Sequence, residues 1–462
     1  MKLLLLSPCP HINNMSSTQY PPLGLLYIGG IVKNLVDDIL ILDANVLQLS
    51  IEETVDRIKD FNPDILGISI NVATAKSAKS IVTIIKDYLP NVKTIAGGPH
   101  PTISPQEWLK YFDIVIAGEG EEAFANIIKH FKNTDDVSVD FKGVCLPNGV
   151  VTRACHPNID SLPFPAYDCL VPELQYYSKK ARVVKSYMAP ILTSRGCSYL
   201  CSFCDKSVHG AKFRPRSAES VIAEIKWLYE KYGVRQIDIL DDNFTFDKER
   251  AHKILDGIIK LGKIKINCQN GIRADRIDNE LALKMKKAGV FRVGVGIESG
   301  NSNILHHLNK KLNLDDVTAA IKILRKQRIT TQGYFIIGLP FEKASDIEDT
   351  INYAIKINPT FANFAHYFPI IGTPIYEELK KNDGLLFDDG ELEDGFFRSA
   401  TYVKNPNITA KDMAKLYAEA WRRFYFRFGK MFDILMSIKS YREFLWICRI
   451  ALSMLKSKLL KK

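Results

Sequence analysis

The sequence predicts an α/β protein with a doubly wound parallel sheet, then a partial barrel of six strand–helix units, then a helical C-terminal tail. Two series of short apolar segments alternate with amphipathic stretches, as strands alternate with helices in such folds. A Pro-rich stretch separates the two series, and a basic segment follows the second. We therefore expect a first domain at 1–133, a connector at 134–189, a barrel at 190–385 and a basic helical C-terminal region at 386–462.

The composition is that of a folded protein rather than a fibrous or disordered one. Of the 462 residues, 46% are apolar and 25% are charged, which is ordinary for globular domains. The apolar segment Met1–Ser7 is too short for a signal-peptide core, and no uninterrupted apolar run of about 18 residues predicts a spanning helix. The sequence therefore predicts a cytoplasmic protein, and its nine cysteines in a reducing compartment favour metal or redox chemistry.

The first series predicts a parallel sheet that helices cover on both faces. Its strands are predicted at Lys2–Leu6, Ile39–Leu42, Asp64–Ile70, Lys93–Ala96 and Ile114–Ala117. Helical periodicity lies between them, for example at Ala75–Tyr88 and Glu121–Phe131. Continuous apolar strand cores are typical of parallel sheets, whose ligands bind beyond the carboxyl ends of the strands. We expect a ligand crevice at that edge.

The second series predicts a partial barrel. Its strands are predicted at Ile191–Ser194, Gln236–Leu240, Lys265–Cys268, Arg292–Gly296, Thr331–Ile337 and Phe361–Tyr367. Its helices are predicted at Ala218–Lys231, Lys248–Ile259, Asn279–Lys287, Leu314–Arg325 and Ala344–Ile357. Barrels of this kind carry out their chemistry at the carboxyl ends of the strands, where His366 and Tyr367 are candidates to face a substrate.

The positive charge of the chain is concentrated in its tail. The net charge is +10, and residues 421–462 hold eleven Lys and Arg against two acidic residues, which gives 11 − 2 = +9. The rest is close to neutral, so the sequence predicts no nucleic-acid groove through the barrel. Aromatic and basic residues mix in Trp421–Phe428, and Arg442–Leu459 is amphipathic. The tail therefore predicts peripheral contact with an anionic membrane; the alternative is an apolar face packed on the barrel.

Three cysteines carry the clearest chemical signal. Cys197, Cys201 and Cys204 lie within eight residues, directly after the first barrel strand. Thiolates are the usual protein ligands of iron–sulfur clusters, and three of them leave one iron of a cubane open to another ligand. A zinc site is the alternative, with His209 as fourth ligand, but the spacing of His209 from Cys204 matches such sites weakly. The pattern favours a four-iron, four-sulfur cluster.

The cysteine loop, with the aromatic Phe203 before its last cysteine, resembles the signature of the radical S-adenosylmethionine (SAM) superfamily. The resemblance implies that SAM binds the open iron through its amino and carboxylate groups. One electron from the cluster then cleaves SAM to methionine and a 5′-deoxyadenosyl radical, which abstracts a hydrogen atom from substrate. A reductase, flavodoxin or ferredoxin would supply the electron. By the same resemblance, SAM-binding residues are expected at Phe203, Asp241, Asn243, Arg273, Glu298 and Ile336.

The first domain resembles the cobalamin-binding domain that precedes the barrel in many radical SAM enzymes, which implies a flavodoxin- or Rossmann-like sheet before a TIM-type barrel. The matching segments are Pro22–Leu25, Gly97–Thr102 and Gly118–Glu121. The resemblance places cobalamin contacts at Leu23, Gly24, Ser69, Thr74, Gly97, Gly98, His100, Gly118, Glu119 and Gly120. The Asp-x-His-x-x-Gly segment that supplies a His to cobalt in other cobalamin proteins is absent from the sequence, so we expect cobalamin without His coordination.

Together these resemblances cover about four fifths of the chain and imply a cobalamin-dependent radical methyltransferase. Its substrate would be a small or lipid-like molecule methylated at an unactivated carbon. The alternative is a cyclase or rearrangement enzyme with the same cofactors, resembling the oxygen-independent Mg-protoporphyrin ester cyclase. A methylthiotransferase is disfavoured, because that class carries a second cysteine triad in its first domain and this one holds only Cys9. An electron carrier is weaker still, because it needs no cobalamin-binding domain.

Overall fold

The computed structural model describes residues 1–10, 20–134, 136, 141–147, 149, 153–178, 187–388, 401–438, 440–441, 443–445 and 448. The chain divides into two compact units. The first unit comprises Met1–Lys180, Asp205–Lys212 and Phe387–Arg398. The second unit comprises Ala181–Cys204, Phe213–Leu386 and Ser399–Lys462.

The first unit is built on a seven-stranded sheet in the order β6-β5-β4-β3-β1-β2-β7, in which only β6 is antiparallel to its neighbour among the described strands. The strands are β1 Lys2–Ser7, β2 Asp38–Asp43, β3 Ile65–Ser69, β4 Lys93–Gly97, β5 Ile114–Ile116, β6 Val144–Cys145 and β7 Leu170–Val171. The helices are α1 Leu23–Val32, α2 Ala44–Leu47, α3 Ile51–Phe61, α4 Ala75–Tyr88, α5 Pro99–Ile103, α6 Pro105–Trp108, α7 Glu121–Phe131 and α8 Leu174–Tyr177.

The strand order places a ligand crevice in the first unit. β1 pairs with β2 on one side and with β3 on the other. The chain therefore adds its second strand on one side of β1 and its third strand on the opposite side. In doubly wound sheets, ligands bind at this switch point, outside the carboxyl ends of the strands. Leu3–Leu6 of β1 are fully buried, as expected for a central strand that helices cover on both faces.

The second unit contains a six-stranded parallel sheet in the order β15-β14-β13-β12-β11-β8, with a short antiparallel pair, β9 and β10, beside it. The strands are β8 Tyr187–Ile191, β9 Ser194–Arg195, β10 Arg214–Pro215, β11 Val234–Ile239, β12 Lys265–Ile272, β13 Val290–Glu298, β14 Thr330–Ile337 and β15 Phe361–His366. The helices are α9 Ala218–Tyr232, α10 Lys248–Leu261, α11 Asn279–Lys287, α12 Ser302–His307, α13 Leu314–Lys326, α14 Ala344–Ile357, α15 Pro374–Lys381, α16 Ala410–Tyr425 and α17 Phe428–Ser437.

The two βα series confirm the predicted α/β fold class, but the first barrel strand was predicted too late in the chain. The prediction was Ile191–Ser194, whereas β8 ends at Ile191. Beyond that point the backbone leaves the sheet, because the Thr193 amide donates to the buried Asp241 carboxylate at 2.6 Å. The chain then forms β9, whose Ser194 pairs antiparallel with Pro215 of β10.

The C-terminal region covers the edge of the sheet. The hydroxyl of Tyr425, at the end of α16, donates to the Ala362 carbonyl at 2.6 Å and accepts from the Ala362 amide at 3.0 Å. The edge strand β15 is thereby protected from further pairing. Phe424 is fully buried, so part of the aromatic segment predicted to meet a membrane packs on the protein instead. Most of the predicted amphipathic helix Arg442–Leu459 lies outside the described residues.

Candidate active site and ligand crevice

The cysteine loop lies between β9 and β10 and is held by the segment that follows α12. The side-chain amide of Asn309 donates to the Leu200 carbonyl at 2.6 Å, and the Ser202 amide donates to the Leu308 carbonyl at 3.0 Å. The described residues show no disulfide at any of the three cysteines of the loop. Hydrogen bonds to the loop's own amide and carbonyl groups therefore fix its path without using its sulfur atoms.

These three thiols fit a cubane cluster. Within the described residues, no three Cys, His, Asp or Glu side chains converge closely enough to hold a single metal ion. A cubane does not require such convergence, because each thiolate binds a different iron. His209, considered above as a fourth zinc ligand, has another partner, since its Nδ1 lies 2.7 Å from Glu119 Oε1 in the first unit.

A buried ion pair stands beside the loop. Lys310 Nζ lies 2.7 Å from Glu298 Oε1, and each side chain is only 10% exposed. Burial alone would lower the pKa of Lys310, but the negative charges of Glu298 and Cys201 outweigh it and raise that pKa. Burial raises the pKa of the Cys201 thiol, and the positive charge of Lys310 opposes that rise. Lys310 is thus a positive charge within electrostatic reach of the candidate cluster.

The backbone at the end of β13 makes room for this pair. Glu298 has a φ of 68°, the left-handed region, which costs about 1–3 kcal/mol for a residue with a side chain. A Cβ at Gly296 would lie 2.9 Å from Glu298 Oε1 and 3.1 Å from Lys310 Nζ. Glycine at position 296 therefore leaves the space that the buried carboxylate and ammonium occupy.

Two of the residues predicted to contact SAM form hydrogen bonds with the protein's own backbone. The guanidinium of Arg273 donates to the carbonyls of Lys310 at 2.9 Å and Lys311 at 2.6 Å, and stacks 3.6 Å from the Tyr199 ring. Asp241 is buried, and its carboxylate accepts from the Thr193 amide and from the hydroxyls of Thr193 and Ser194. Burial raises the pKa of Asp241 and these hydrogen bonds oppose the rise. Both side chains position the segments on which the loop depends.

The other predicted SAM contacts are more open to a ligand. Asn243 is buried, and among the described residues its Nδ2 has no hydrogen-bond partner. Ile336 is half-buried on β14, between the buried residues Phe335 and Ile337. The Phe203 ring lies 5.8 Å from Lys310 Nζ. A buried amide without a partner is costly unless a ligand satisfies it, so Asn243 is the strongest of these three candidates.

His366, a candidate to face substrate, packs against the C-terminal region instead. Its ring stacks on that of Tyr417 in α16, with centroids 3.9 Å apart. Burial lowers the pKa of His366 to about 4, so the ring is neutral near pH 7. Tyr367 is buried, and burial raises its pKa.

In the first unit, glycines shape the carboxyl edge of the sheet. Gly98 has a φ of 99°, and a Cβ there would lie 2.7 Å from the Ile70 carbonyl oxygen. A Cβ at Gly97 or Gly24 would instead meet no atom of the described residues within 4 Å. Open space at the strand ends lets a bulky ligand approach the backbone, so this edge fits a cobalamin tail.

Thr102, the last residue of the matching segment Gly97–Thr102 but not one of the predicted contacts, ties two strand ends together at this edge. Its hydroxyl donates to the Gly98 carbonyl at 2.8 Å and accepts from the Gly118 amide at 3.0 Å. Gly118 itself has a φ of 108°. The hydroxyl thus bridges the carboxyl ends of β4 and β5, and this contact joins two of the segments that resemble a cobalamin-binding domain.

Three of the predicted cobalamin contacts bind protein partners. The Thr74 hydroxyl accepts from the Asn71 amide at 3.0 Å, in a local cap. His100 Nδ1 accepts from the Trp108 indole at 2.9 Å. Glu119 binds His209, as described above. Leu23 begins α1, Gly120 precedes α7, and the Ser69 Oγ lies beside Gly98. These three positions surround the same edge of the sheet.

Comparison with known proteins identifies both halves of the chain. The family model of the B12 binding domain matches residues 12–128, and that of the radical SAM superfamily matches residues 191–354. The uncharacterized methyltransferase PH0819 of Pyrococcus horikoshii is 32% identical over 437 residues, which are 92% of this chain and 93% of that protein.

Two further proteins match at lower similarity. The anaerobic magnesium-protoporphyrin IX monomethyl ester cyclase of Synechocystis is 30% identical over 370 residues, 75% of this chain and 70% of that protein. The structure of the cobalamin-dependent SAM radical enzyme OxsB with aqua-cobalamin has the same fold, with a TM-score of 0.74 at 18% identity over 92% of this chain and 67% of that one. The chain is therefore an enzyme of the radical SAM family whose members carry an N-terminal cobalamin-binding domain.

Proposed function

We propose that this enzyme transfers a methyl group to an unactivated carbon of a small-molecule or lipid-like substrate. One observation carries the choice of reaction. The chain spans 93% of the length of the methyltransferase relative, but 70% of the length of the cyclase relative. The likeness to the methyltransferase therefore extends over nearly the whole of both chains, including the region beyond the barrel.

Each residue group has a distinct task in this proposal. When bound, the cluster and SAM supply the radical that removes a hydrogen atom from substrate, and cobalamin supplies the methyl group. Cys197, Cys201 and Cys204 hold the cluster and leave one iron open to SAM. The first-unit edge at Gly24 and Gly97 receives cobalamin, with no His on cobalt.

The methionine part of SAM carries one ammonium and one carboxylate, and the site offers matching charges. Glu298 presents a carboxylate and Lys310 an ammonium, 2.7 Å apart in a buried position. The Nδ2 of Asn243 adds a buried donor that has no partner in the part of the chain that the structure describes. Charge-assisted hydrogen bonds are about twice as strong as neutral ones, so this trio is suited to orient SAM against the open iron.

The chain needs an electron donor, and we propose a reductase, flavodoxin or ferredoxin, because reductive cleavage of SAM consumes one electron. We also propose the domain boundaries 1–133, 134–189, 190–385 and 386–462. The short segment Asp205–Lys212 is an addition to this scheme, since it packs within the first unit although it follows the cysteine loop in sequence.

The second candidate function is cyclisation or rearrangement with the same cofactors. It is favoured by the 30% identity to the magnesium-protoporphyrin ester cyclase. The two reactions differ in the fate of the SAM methyl group, because only the methyltransferase moves it to cobalamin and then to substrate.

A labelling experiment separates these functions. Anaerobically reconstituted enzyme is incubated with reductant, cobalamin and SAM that carries a deuterated methyl group. A methyltransferase is expected to yield cobalamin with the deuterated methyl and, with substrate, a product heavier by that methyl. Cleavage of SAM to 5′-deoxyadenosine with unlabelled cobalamin and unlabelled product would instead establish the cyclase reaction.

A further inference from the structure

The helix α17 has its charged side chains turned toward the protein. Lys430 is only 2% exposed, and its ammonium donates to the Pro359 carbonyl at 2.7 Å. Asp433 accepts from the Arg325 guanidinium at 3.1 Å and from the Asn358 amide at 3.2 Å. These contacts fix the orientation of the helix, because rotating it about its axis by a quarter turn would break the hydrogen bonds of Lys430 to Pro359 and of Asp433 to Arg325.

The apolar side chains of the same helix point outward. The exposed fractions are 87% for Phe428, 52% for Met431, 60% for Phe432, 58% for Leu435 and 70% for Met436. Their spacing of three and four residues places them in one stripe along the helix. A helix of a globular protein normally buries such a stripe against the core. Phe426 and Tyr441, which flank the helix in sequence, are exposed as well, so the outward stripe indicates an interaction surface.

The charge around this stripe selects its partner. Residues 421–462 hold eleven basic and two acidic residues. Both acids are engaged, since Asp433 pairs with Arg325 and Glu443 is 2% exposed. By sequence this segment therefore carries an excess of positive charge, 11 − 2 = +9, although Lys430 itself is buried. A second copy of this chain would bring the same positive charge against it, which disfavours a dimer through this face.

We propose that the outward stripe of α17 docks the enzyme on an anionic lipid surface. Apolar and aromatic side chains enter the interface between headgroups and acyl chains, and basic residues of 421–462 meet the lipid phosphates. The sequence predicted membrane contact in Trp421–Phe428 and Arg442–Leu459, and this proposal adds the outward stripe of α17 to those segments. This inference is independent of the proposed reaction, because docking requires neither cofactor nor substrate.

The experiment is vesicle flotation with the full-length enzyme. The test variant is Phe428→Ser with Phe432→Ser, which removes two side chains from the stripe. The matched control is Tyr88→Ser with Leu283→Ser, which removes two side chains that are 60% and 45% exposed elsewhere. Because all four are exposed, iron content and the thermal unfolding temperature should be those of the wild type in both variants. Vesicles of phosphatidylcholine with and without phosphatidylglycerol are compared at low and high salt.

Wild type and control should float with vesicles that contain phosphatidylglycerol and lose this binding at high salt. The test variant should bind at least about tenfold more weakly, because two phenyl groups no longer enter the interface. Equal flotation of test variant and wild type would overturn the proposal, as would a wild type that binds neither kind of vesicle. If light scattering showed a dimeric wild type and a monomeric test variant, the stripe would instead be a contact surface for a second copy of the chain.

Discussion

Lys310 and Glu298 form a buried ion pair at the carboxyl end of β13, and the same turn that carries Lys310 holds the cysteine loop. Arg273 donates to the carbonyls of Lys310 and Lys311, and Asn309 donates to the Leu200 carbonyl within the loop. The segment 308–311 thus both supplies the ammonium that pairs with Glu298 and holds the cysteine loop. The loop is held by the Leu308 carbonyl and the Asn309 side chain, so a change to the Lys310 side chain should be separable from a change to the cluster.

Replacement of Lys310 by Met should weaken SAM binding and leave iron content unchanged. A charged hydrogen bond contributes about 1.5–3 kcal/mol, so the loss of affinity should be roughly tenfold to a hundredfold. Lys311→Met is the matched control, because the Lys311 side chain is exposed and only its carbonyl binds Arg273. Equilibrium binding of SAM to the reconstituted enzyme measures the effect. If both variants bound SAM with equal affinity, the role of Lys310 would be purely structural.

Cys201→Ala should abolish cluster binding. Reconstituted wild type should hold about four irons, whereas the variant loses a thiolate ligand and the reductive cleavage of SAM with it. Cys155→Ala, at an exposed free thiol of the first unit, should retain both. Iron analysis and 5′-deoxyadenosine formation are the measurements. Wild-type activity in Cys201→Ala would contradict the assignment of the loop.

Two adjacent glycines should respond differently to alanine. A Cβ at Gly97 meets no atom within 4 Å in the described structure, so Gly97→Ala should fold normally but place a methyl group where cobalamin is expected. Gly98→Ala should lose about 1–3 kcal/mol of stability, because its φ of 99° and the Ile70 carbonyl both oppose a side chain. Thermal unfolding and the visible spectrum of copurified cobalamin test this.

In wild type that cobalamin spectrum should show no His coordination. Full cobalamin binding by Gly97→Ala would remove this edge from the proposed site, and a His-coordinated spectrum would contradict the expected ligation.

Local signals in the sequence predict most of the helices and strands. The helices Ala75–Tyr88, Asn279–Lys287 and Ala344–Ile357 were predicted with the bounds that the structure has. Amphipathic periodicity marks such helices over their whole length, and their ends carry capping or turn residues. The first barrel strand was misplaced, because the position where it ends depends on Asp241, which lies 48 residues away from Thr193.

The residues that sequence reasoning missed act through long-range contacts or orientation. Lys310 has no motif of its own, and its position matters only because the fold brings it to Glu298. The outward orientation of the apolar stripe of α17 could not be predicted from the sequence either. Apolar residues at three- and four-residue spacing give the same pattern whether the stripe points inward or outward, and only the contacts of Lys430 and Asp433 decide.

The stability of the protein is expected to depend on pH through Glu342. Glu342 is buried at the turn after β14, and its Oε2 accepts from the amides of Gly338 at 2.7 Å and Leu339 at 2.9 Å. Burial raises its pKa from 4.5 to about 7, with these hydrogen bonds opposing the rise and the negative charge of Asp346 adding to it. The folded state therefore favours the protonated carboxyl. The stability that this group contributes is complete below about pH 4.5 and is lost as the pH rises through about 7.

Glu342→Gln keeps an oxygen acceptor for the two amides but cannot ionise. Relative to wild type it should gain stability as the pH rises from about 5 to about 8, by at most about 3 kcal/mol. Glu377→Gln, at an exposed carboxylate of α15, should follow the wild type throughout. Thermal unfolding of the anaerobic enzyme across this range is the measurement, and the difference in unfolding temperature between Glu342→Gln and wild type should widen with pH. A difference that stays constant would show that Glu342 remains ionised in the folded protein, held by the two backbone amides alone.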